Sequence, residues 1–400
     1  MAPNPRGMMQ RIEGRAQHYA WGSPTAIPGL LGIPATGEPY AEHWLGAHES
    51  APSLVGGAPL DALIADHGED ILGAATKERF GARLPYLMKL LAADRPLSIQ
   101  AHPNREDAEA GFARENEAGV PIDAPERTYR DAWPKPEALI AVTPFIGLCG
   151  FRDPVRTVDL IERLGVADEL RSVITPLTQR KGSAALAQVF LDVLSFDGDR
   201  LRSVDLVVDA AANHTEDDAE LGDLARALVQ LGNAFPGERG ILAALLLNIV
   251  NLQPGEGMFL GAGNMHAYLH GVGIEVMANS DNVLRGGLTS KHIDVDELMR
   301  VVRFKAEEPT LLPVEAVGAR TYHYGTPAPE FSVWRIDPGE VPVPIPGSGA
   351  RIGLVLEGNA RITAGGETLD LNRGESVLLS AGDCATVAGT GVLYVSGPGI

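Results

Sequence analysis

Gly255-Glu256-Gly257-Met258-Phe259-Leu260-Gly261-Ala262-Gly263-Asn264-Met265-His266 is the stretch of this chain that carries the most information about its fold. Met258, Phe259 and Leu260 form a short apolar strand candidate, and the glycines around them supply the backbone freedom that tight turns require. A strand, a Gly-x-Gly turn and a second strand aim the first inward side chain of that second strand at the middle of a curled sheet. Here that side chain is His266. The frame recurs at Gly374-Glu375-Ser376-Val377-Leu378-Leu379-Ser380-Ala381-Gly382-Asp383-Cys384-Ala385, with Gly374 and Gly382 spaced as Gly255 and Gly263 are. Ala385 stands where His266 does, and alanine cannot bind a metal. The repetition reads either as two related β units, one with a candidate metal ligand and one without, or as two unrelated turns.

Outward from these two stretches the character of the chain changes twice. Between residues 18 and 142 it reads as short strands and loops, with strand candidates at 19–22, 42–46 and 87–99. Helical interruptions are expected around 59–80 and 104–118, the second charge-rich and either flanking or covering a cavity mouth or simply solvated. From about 153 to 251 the periodicity becomes helical: Leu186, Val189, Phe190, Val193 and Leu194 recur at one-face spacing, as do Leu221, Leu224, Ala225 and Leu228. Residues 241–252 are apolar all round and predict a buried helix. After Gln253 short strands return, at 321–336, 353–362, 375–379 and 386–395, separated by Gly and Pro turns. The last eighty or so residues read as a small antiparallel sandwich.

With 400 residues, more than one core is expected. The formal net charge of −19 disfavours nucleic acid or an anionic membrane as partner, because phosphate backbones need clustered Lys and Arg. An anionic small substrate would need a local basic pocket in an acidic protein. Two cysteines, Cys149 and Cys384, imply no disulfide framework and fit a reducing compartment. The opening Met-Ala-Pro-Asn-Pro-Arg lacks a signal-peptide core, and the longest apolar run, 241–247, is too short to span a bilayer, so a cytoplasmic location is expected.

Leu97-Ser98-Ile99-Gln100-Ala101-His102-Pro103 supplies partners for His266. Side chains two apart on a strand share a face, so Gln100 and His102 look into one cavity. Lys135-Pro136-Glu137 opens the apolar run Ala138 to Val142, placing Glu137 at a strand start. Together Gln100, His102, Glu137 and His266 offer two imidazoles, one carboxylate and one amide, a donor set for a divalent ion.

The Gly255–His266 frame resembles the second metal motif of cupins, double-stranded β-helices of the jelly-roll type. More specifically, the chain resembles type I phosphomannose isomerases. The matching stretches are Tyr19-Ala20-Trp21-Gly22, Trp44-Leu45-Gly46-Ala47-His48, Leu97 to Asn104, Lys135-Pro136-Glu137, Gly263 to Leu269, and Glu275 to Thr289 with its Ser280-Asp281-Asn282-Val283-Leu284-Arg285 core. They occur in the family's order and span most of the chain. Two departures stand out: Pro134 where many bacterial members have His, and His18 where Asn is common.

The resemblance implies a mainly β fold with a helical domain: two cupin-like jelly-roll domains plus an inserted α-helical domain. The expected division is 1–152 with 253–320 for the metal-binding cupin domain, 153–252 for the helices, and 321–400 for a cupin-like domain without metal ligands. It also implies one Zn2+ on Gln100, His102, Glu137 and His266, an essential Arg285, and aldose–ketose isomerisation of mannose 6-phosphate and fructose 6-phosphate through an enediol. In that setting Asp281 is expected to open the sugar ring or orient His102, and Lys135 and Lys291 to contact phosphate or hydroxyls. Ser98 is expected to meet substrate, and Tyr268 to line the cavity or simply pack. His43, His48 and His270 are not assigned to metal. A monomer is expected. Competing readings are a cupin isomerase of another hexose phosphate, and a metal- or sugar-binding cupin without turnover.

Overall fold

The computed structural model describes residues 9–180 and 182–400; residues 1–6, read above for a leader, lie outside the described set. Two antiparallel sheets, of 10 and 11 strands among the described residues, carry the architecture, with helices packed against the first. The chain is therefore mainly β with helices, as the alternation of its apolar residues predicts.

The first sheet is organised on one long strand, His266–Ala278, which has different neighbours at its two ends. Its beginning pairs with Ile99–Ala101 and Phe145–Phe151, and its end with Tyr86–Ala93 and Glu137–Ala141. At the change of partners stands Gly271, with φ of +125°. A Cβ there would come within 2.7 Å of the Pro144 carbonyl oxygen, so only glycine fits. The strand bends so strongly that Tyr268 Oη donates to Glu275 Oε1 at 2.7 Å, across a sequence separation of 7.

The helical region packs on the outside of the strands that carry the candidate ligands. Its helices include Pro154–Arg163, Ser183–Leu194 and Ala219–Ala234, and Leu186, Val189, Phe190, Val193, Leu221, Leu224 and Leu228 are all buried in one core. Ile99 and Ala101 point into that same core. Strand alternation therefore turns Gln100 the other way, toward the cavity that it lines.

The expected helix over 241–252 needs correction. Only Gly240–Ala244 is helical, and Leu247–Leu252 is a strand paired with Phe145–Phe151. A run apolar on every face suits a buried strand as well as a buried helix, and periodicity alone does not separate them. Residues 19–22 are likewise not a strand: a turn closes there, with Gly22 N donating to Tyr19 O at 3.0 Å. The expected strand over 87–99 is two, Tyr86–Ala93 and Ile99–Ala101.

The second sheet contains the C-terminal strands but also borrows from the other end of the chain. Met9–Glu13 pairs with Ser376–Leu379 on one side and with Leu54–Val55 on the other, and Val314–Gly318 forms an outer strand. Sheet membership thus crosses the sequence boundaries expected at 152, 252 and 320. A shared core containing Tyr86, Met88 and Leu90 from one sheet and Ile352, Leu354 and Tyr394 from the other joins them, and Tyr86 Oη donates to the carbonyls of Ala350 and Ser396.

Candidate metal centre

His102, Glu137 and His266 converge although they are far apart in sequence. Their ligand atoms all lie within 4.8 Å of one another, and all three residues are buried. His102 Nε2 is 3.3 Å from Glu137 Oε1, and His266 Nε2 is 3.5 Å from Glu137 Oε2. The local sequence explains each placement. Glu137 is the first residue of its strand and lies opposite Leu260, so the turn at Ala262 and Gly263 brings His266 back beside it. Pro103 stops the Ile99–Ala101 strand just past His102, and Asn104 then caps the helix Arg105–Glu117 by accepting from Asp107 N at 2.8 Å.

Both imidazoles are held from behind by main-chain carbonyls. His102 Nδ1 donates to Asn282 O at 2.9 Å and His266 Nδ1 to Asn264 O at 3.0 Å. That arrangement puts the proton on Nδ1 and turns each Nε2 lone pair toward Glu137. His102 Nε2 is fully buried and makes no hydrogen bond. Burial lowers the His102 imidazole below its usual value and keeps it neutral, while Glu137 acts in the opposite sense. Burial alone would raise the Glu137 carboxyl, but the neighbouring His102, Lys135 and His266 hold it well below the usual carboxylate range. A buried carboxylate between two imidazoles, one with an unsatisfied lone pair, suits a divalent cation.

Gln100 is the register partner of His266 on one side and of Arg285 on the other, so its strand lies between theirs. Its Nε2 donates to Ser98 Oγ at 3.2 Å. Both residues line a cavity of about 530 Å³ that also receives Lys135, Asp281, Arg285 and Lys291. Lys135 Nζ is 3.3 Å from Glu137 Oε1, which ties the cavity to the buried triad. In a chain of net charge −19 this is the local basic pocket that an anionic substrate needs: Lys89, Arg95, Lys135, Arg285 and Lys291 face it, against Glu42 and Asp281. Burial and the neighbouring Arg130 lower the Arg285 guanidinium, and burial, Arg285 and Arg130 lower Lys291. These cations oppose one another, and an arriving anion would relieve that opposition.

Three expectations change. Asp281 does not orient His102; its Oδ1 is 3.2 Å from His48 Nε2, and the Asn282 carbonyl occupies the position behind His102. Burial would raise the Asp281 carboxyl, yet the His48 hydrogen bond, with Lys135 and Arg130, keeps it below the ordinary aspartate value. Tyr268 does not line the cavity: it is buried and its hydroxyl is engaged by Glu275, because the bend at Gly271 draws the two together. The helix Arg105–Glu117 does not cover the mouth either. Its first residue, Arg105, packs over Trp133, as does Arg83, with guanidinium-to-ring distances of 4.0 and 4.4 Å.

Sequence reasoning missed one wall of the cavity. Lys89 is buried, with Nζ 2.8 Å from Glu275 Oε2 and 3.6 Å from Glu42 Oε1, and Trp44 Nε1 donates to Glu42 Oε2 at 2.6 Å. Burial works against the Lys89 charge, but Glu275, Glu42 and Glu137 hold it above the ordinary lysine value. The signal was available: a lone lysine in Tyr-Leu-Met-Lys-Leu-Leu-Ala-Ala cannot be buried without carboxylate partners. His48 carried a weaker signal, its place in the Trp44–His48 match.

Comparison with known proteins follows the same lines. The model of the family phosphomannose isomerase type I, catalytic domain, matches residues 9–154. The chain is 38% identical to the mannose-6-phosphate isomerase of Escherichia coli (strain K12) over 394 residues, covering 96% of this chain and 98% of that one. The apo-form crystal structure of mannose 6-phosphate isomerase from Salmonella typhimurium is 37% identical, with a TM-score of 0.89 over 98% of this chain and 99% of that chain. A zinc-bound holo structure of mannose 6-phosphate isomerase is equally similar, 37% identical with a TM-score of 0.89, covering 98% of this chain and 100% of that one.

Proposed function

The chain belongs to the type I phosphomannose isomerases, and from that membership and its buried centre we infer that it is a zinc-dependent isomerase interconverting mannose 6-phosphate and fructose 6-phosphate. The observation that carries this reading is His102 Nε2, buried, without a hydrogen bond and facing Glu137 beside His266. We assign His102, Glu137, His266 and Gln100 as the zinc ligands, one ion per chain. When bound there, zinc polarises and orients the sugar oxygens and stabilises negative charge developing on them.

The reaction moves one proton between C2 and C1 and another between their oxygens, through an enediol. Lys135, between the triad and the cavity, is placed to hold a sugar hydroxyl near the reacting carbons. Asp281, kept ionised by His48, accepts the ring hydroxyl proton during opening. Arg285 presents a permanently charged fork to the enediolate or phosphate, Lys291 adds charge for phosphate, and Ser98 offers a hydroxyl beside Gln100. Trp21, Trp44, Phe235 and Met277 line the same cavity with apolar surface that limits water.

For the fold we propose two cupin-like jelly rolls and an inserted helical domain, divided at 1–152 with 253–320, 153–252 and 321–400, with segments that include Met9–Glu13, Leu54–Val55, Leu247–Leu252 and Val314–Gly318 exchanged across those limits. No helix among the described residues is long and apolar enough to cross a membrane, and both cysteines are free; we place the enzyme in the cytoplasm, as a monomer. A coupled assay with mannose 6-phosphate and glucose 6-phosphate, before and after chelation and zinc add-back, tests the reading. Turnover of the mannose ester that disappears on chelation and returns with zinc is expected. Preference for the glucose ester, or full activity without metal, would overturn it.

A further inference from the structure

The backs of the two halves of the metal centre meet at one residue that touches neither the cavity nor a ligand atom of the triad. Asn282 is fully buried. Its Oδ1 accepts from Arg130 N at 2.8 Å and Asp131 N at 3.2 Å. Its Nδ2 donates to Asp131 O at 2.8 Å and Trp133 O at 2.9 Å. Donors on one side and carbonyls on the other fix the amide orientation without ambiguity. The segment so held runs directly into Lys135 and Glu137, while the Asn282 main-chain carbonyl is the acceptor behind His102. Ser280 completes the clasp: its hydroxyl donates to the Asp131 carboxylate at 2.9 Å and lies within 3.2 Å of Trp133 O.

We propose that Asn282 is a positioning residue that joins the two halves of the centre, its side chain setting the approach of Lys135 and Glu137 and its main chain setting the direction of His102. The proposal rests on the zinc-isomerase reading above. A side chain that merely filled space would not need four main-chain partners from one loop, and one that merely tied that loop down would not also carry the His102 acceptor. Movement of Asn282 shifts the carboxylate and an imidazole relative to each other, and it does so without touching substrate.

Chelator-competition titration of zinc on the full-length protein, with kcat and KM measured at saturating zinc, tests this on Asn282→Ala and Ser280→Ala. Asn282→Ala is expected to weaken zinc binding by roughly 10–100-fold, the usual effect of removing a residue that orients a ligand. With zinc saturating, kcat falls by roughly tenfold while KM stays within about threefold, as lost transition-state alignment requires. Ser280→Ala moves zinc affinity in the same direction by about fivefold, the worth of one hydrogen bond. Tyr86→Phe, which removes two buried hydrogen bonds between the sheets, controls for destabilisation alone: it lowers the Tm and leaves zinc affinity and kcat unchanged. If Asn282→Ala shifts zinc affinity no more than Tyr86→Phe does, the proposal fails. If Asn282→Ala does not fold, Ser280→Ala decides, and native zinc affinity in it overturns the proposal. Absence of mannose 6-phosphate turnover in the native protein would instead overturn the isomerase reading, with the zinc titration still judging Asn282.

Discussion

In the first copy of the repeated frame Glu256 bends back to accept from Gln253 N at 2.8 Å, and in the second Glu375 accepts from Asn372 N at 2.6 Å. Gly255 and Gly263 have φ of +90° and +70°, Gly374 and Gly382 of +84° and +83°. Each copy then runs through a short strand and a turn to the start of a long strand. At that point the likeness ends. His266 meets Glu137 and His102, whereas Ala385 is buried in an apolar cluster with Ile345, Val387 and Val395. Beneath the second turn Arg351 donates to the carbonyls of Ser380 and Asp383, filling with hydrogen bonds a region that needs no ligand. The turn therefore delivers a position, and chemistry arises only where other strands bring complementary groups to it.

The largest expected effect follows from exchanging the residues that distinguish the copies. His266→Ala should lose zinc and turnover by more than the roughly 10–100-fold that losing a supporting partner costs, as measured by metal content and assay. Ala385→His should gain no second zinc, because among the described residues the only group that could hold a metal is His102, Glu137 and His266 and Ala385 sits in an apolar cluster, and should lose about 1–3 kcal/mol of stability through overpacking. A second bound zinc in that variant would show that the frame alone suffices.

A smaller difference is expected at the opening glycines. In either copy a Cβ in the left-handed region costs about 1–2 kcal/mol. At Gly374 it would also lie 2.3 Å from the Leu31 carbonyl oxygen, while at Gly255 its nearest neighbour is the Arg335 side chain at 3.5 Å, an ordinary contact. Gly374→Ala should thus be the more destabilising in urea unfolding, by about a further 1–3 kcal/mol. Equal midpoints would mean that the packing of the second copy against the helix Ala26–Leu31 is looser than the structure has it.

The smallest expected effect is acid sensitivity. Burial would raise the Glu375 carboxyl, but Arg11 and the Asn372 amide lower it below the ordinary glutamate value of 4.5. A depressed carboxylate contributes stability that is present above its unfolded value and is lost as pH falls through its folded one. Glu375→Gln should therefore flatten the acid limb of a Tm-against-pH curve below about pH 4.5 and leave neutral pH nearly unaffected, the pair being well exposed. An unchanged acid limb would remove Glu375 from the turn's stability.

Much of this arrangement was readable from the chain because it rests on local rules. Alternation along Leu97–Pro103 separates Ile99 and Ala101 from Gln100, and the glycine frame marks His266 and its missing counterpart. The failures share a different cause. Leu247–Leu252 was ambiguous because a run buried on all faces has no period, and Tyr268 was misplaced because alternation assumes a strand that does not fold back. Asn282 carried only its place in the Glu275–Thr289 match, since the partners of its side-chain amide are chiefly main-chain groups more than a hundred residues away, and a main-chain group looks the same in every sequence.

Gly271 places a limit on how this protein can vary. The strand it bends would separate Tyr268 and Glu275 by roughly 23 Å if straight, yet they share a hydrogen bond. Each arm is locked to its own neighbours, 266–270 to Phe145–Phe151 and 271–278 to Tyr86–Ala93. Lengthening either arm by one residue would reverse the facing of everything beyond the insertion. Substitutions between His266 and Ala278 leave that facing intact, whereas a single insertion there would turn one arm's inward side chains outward.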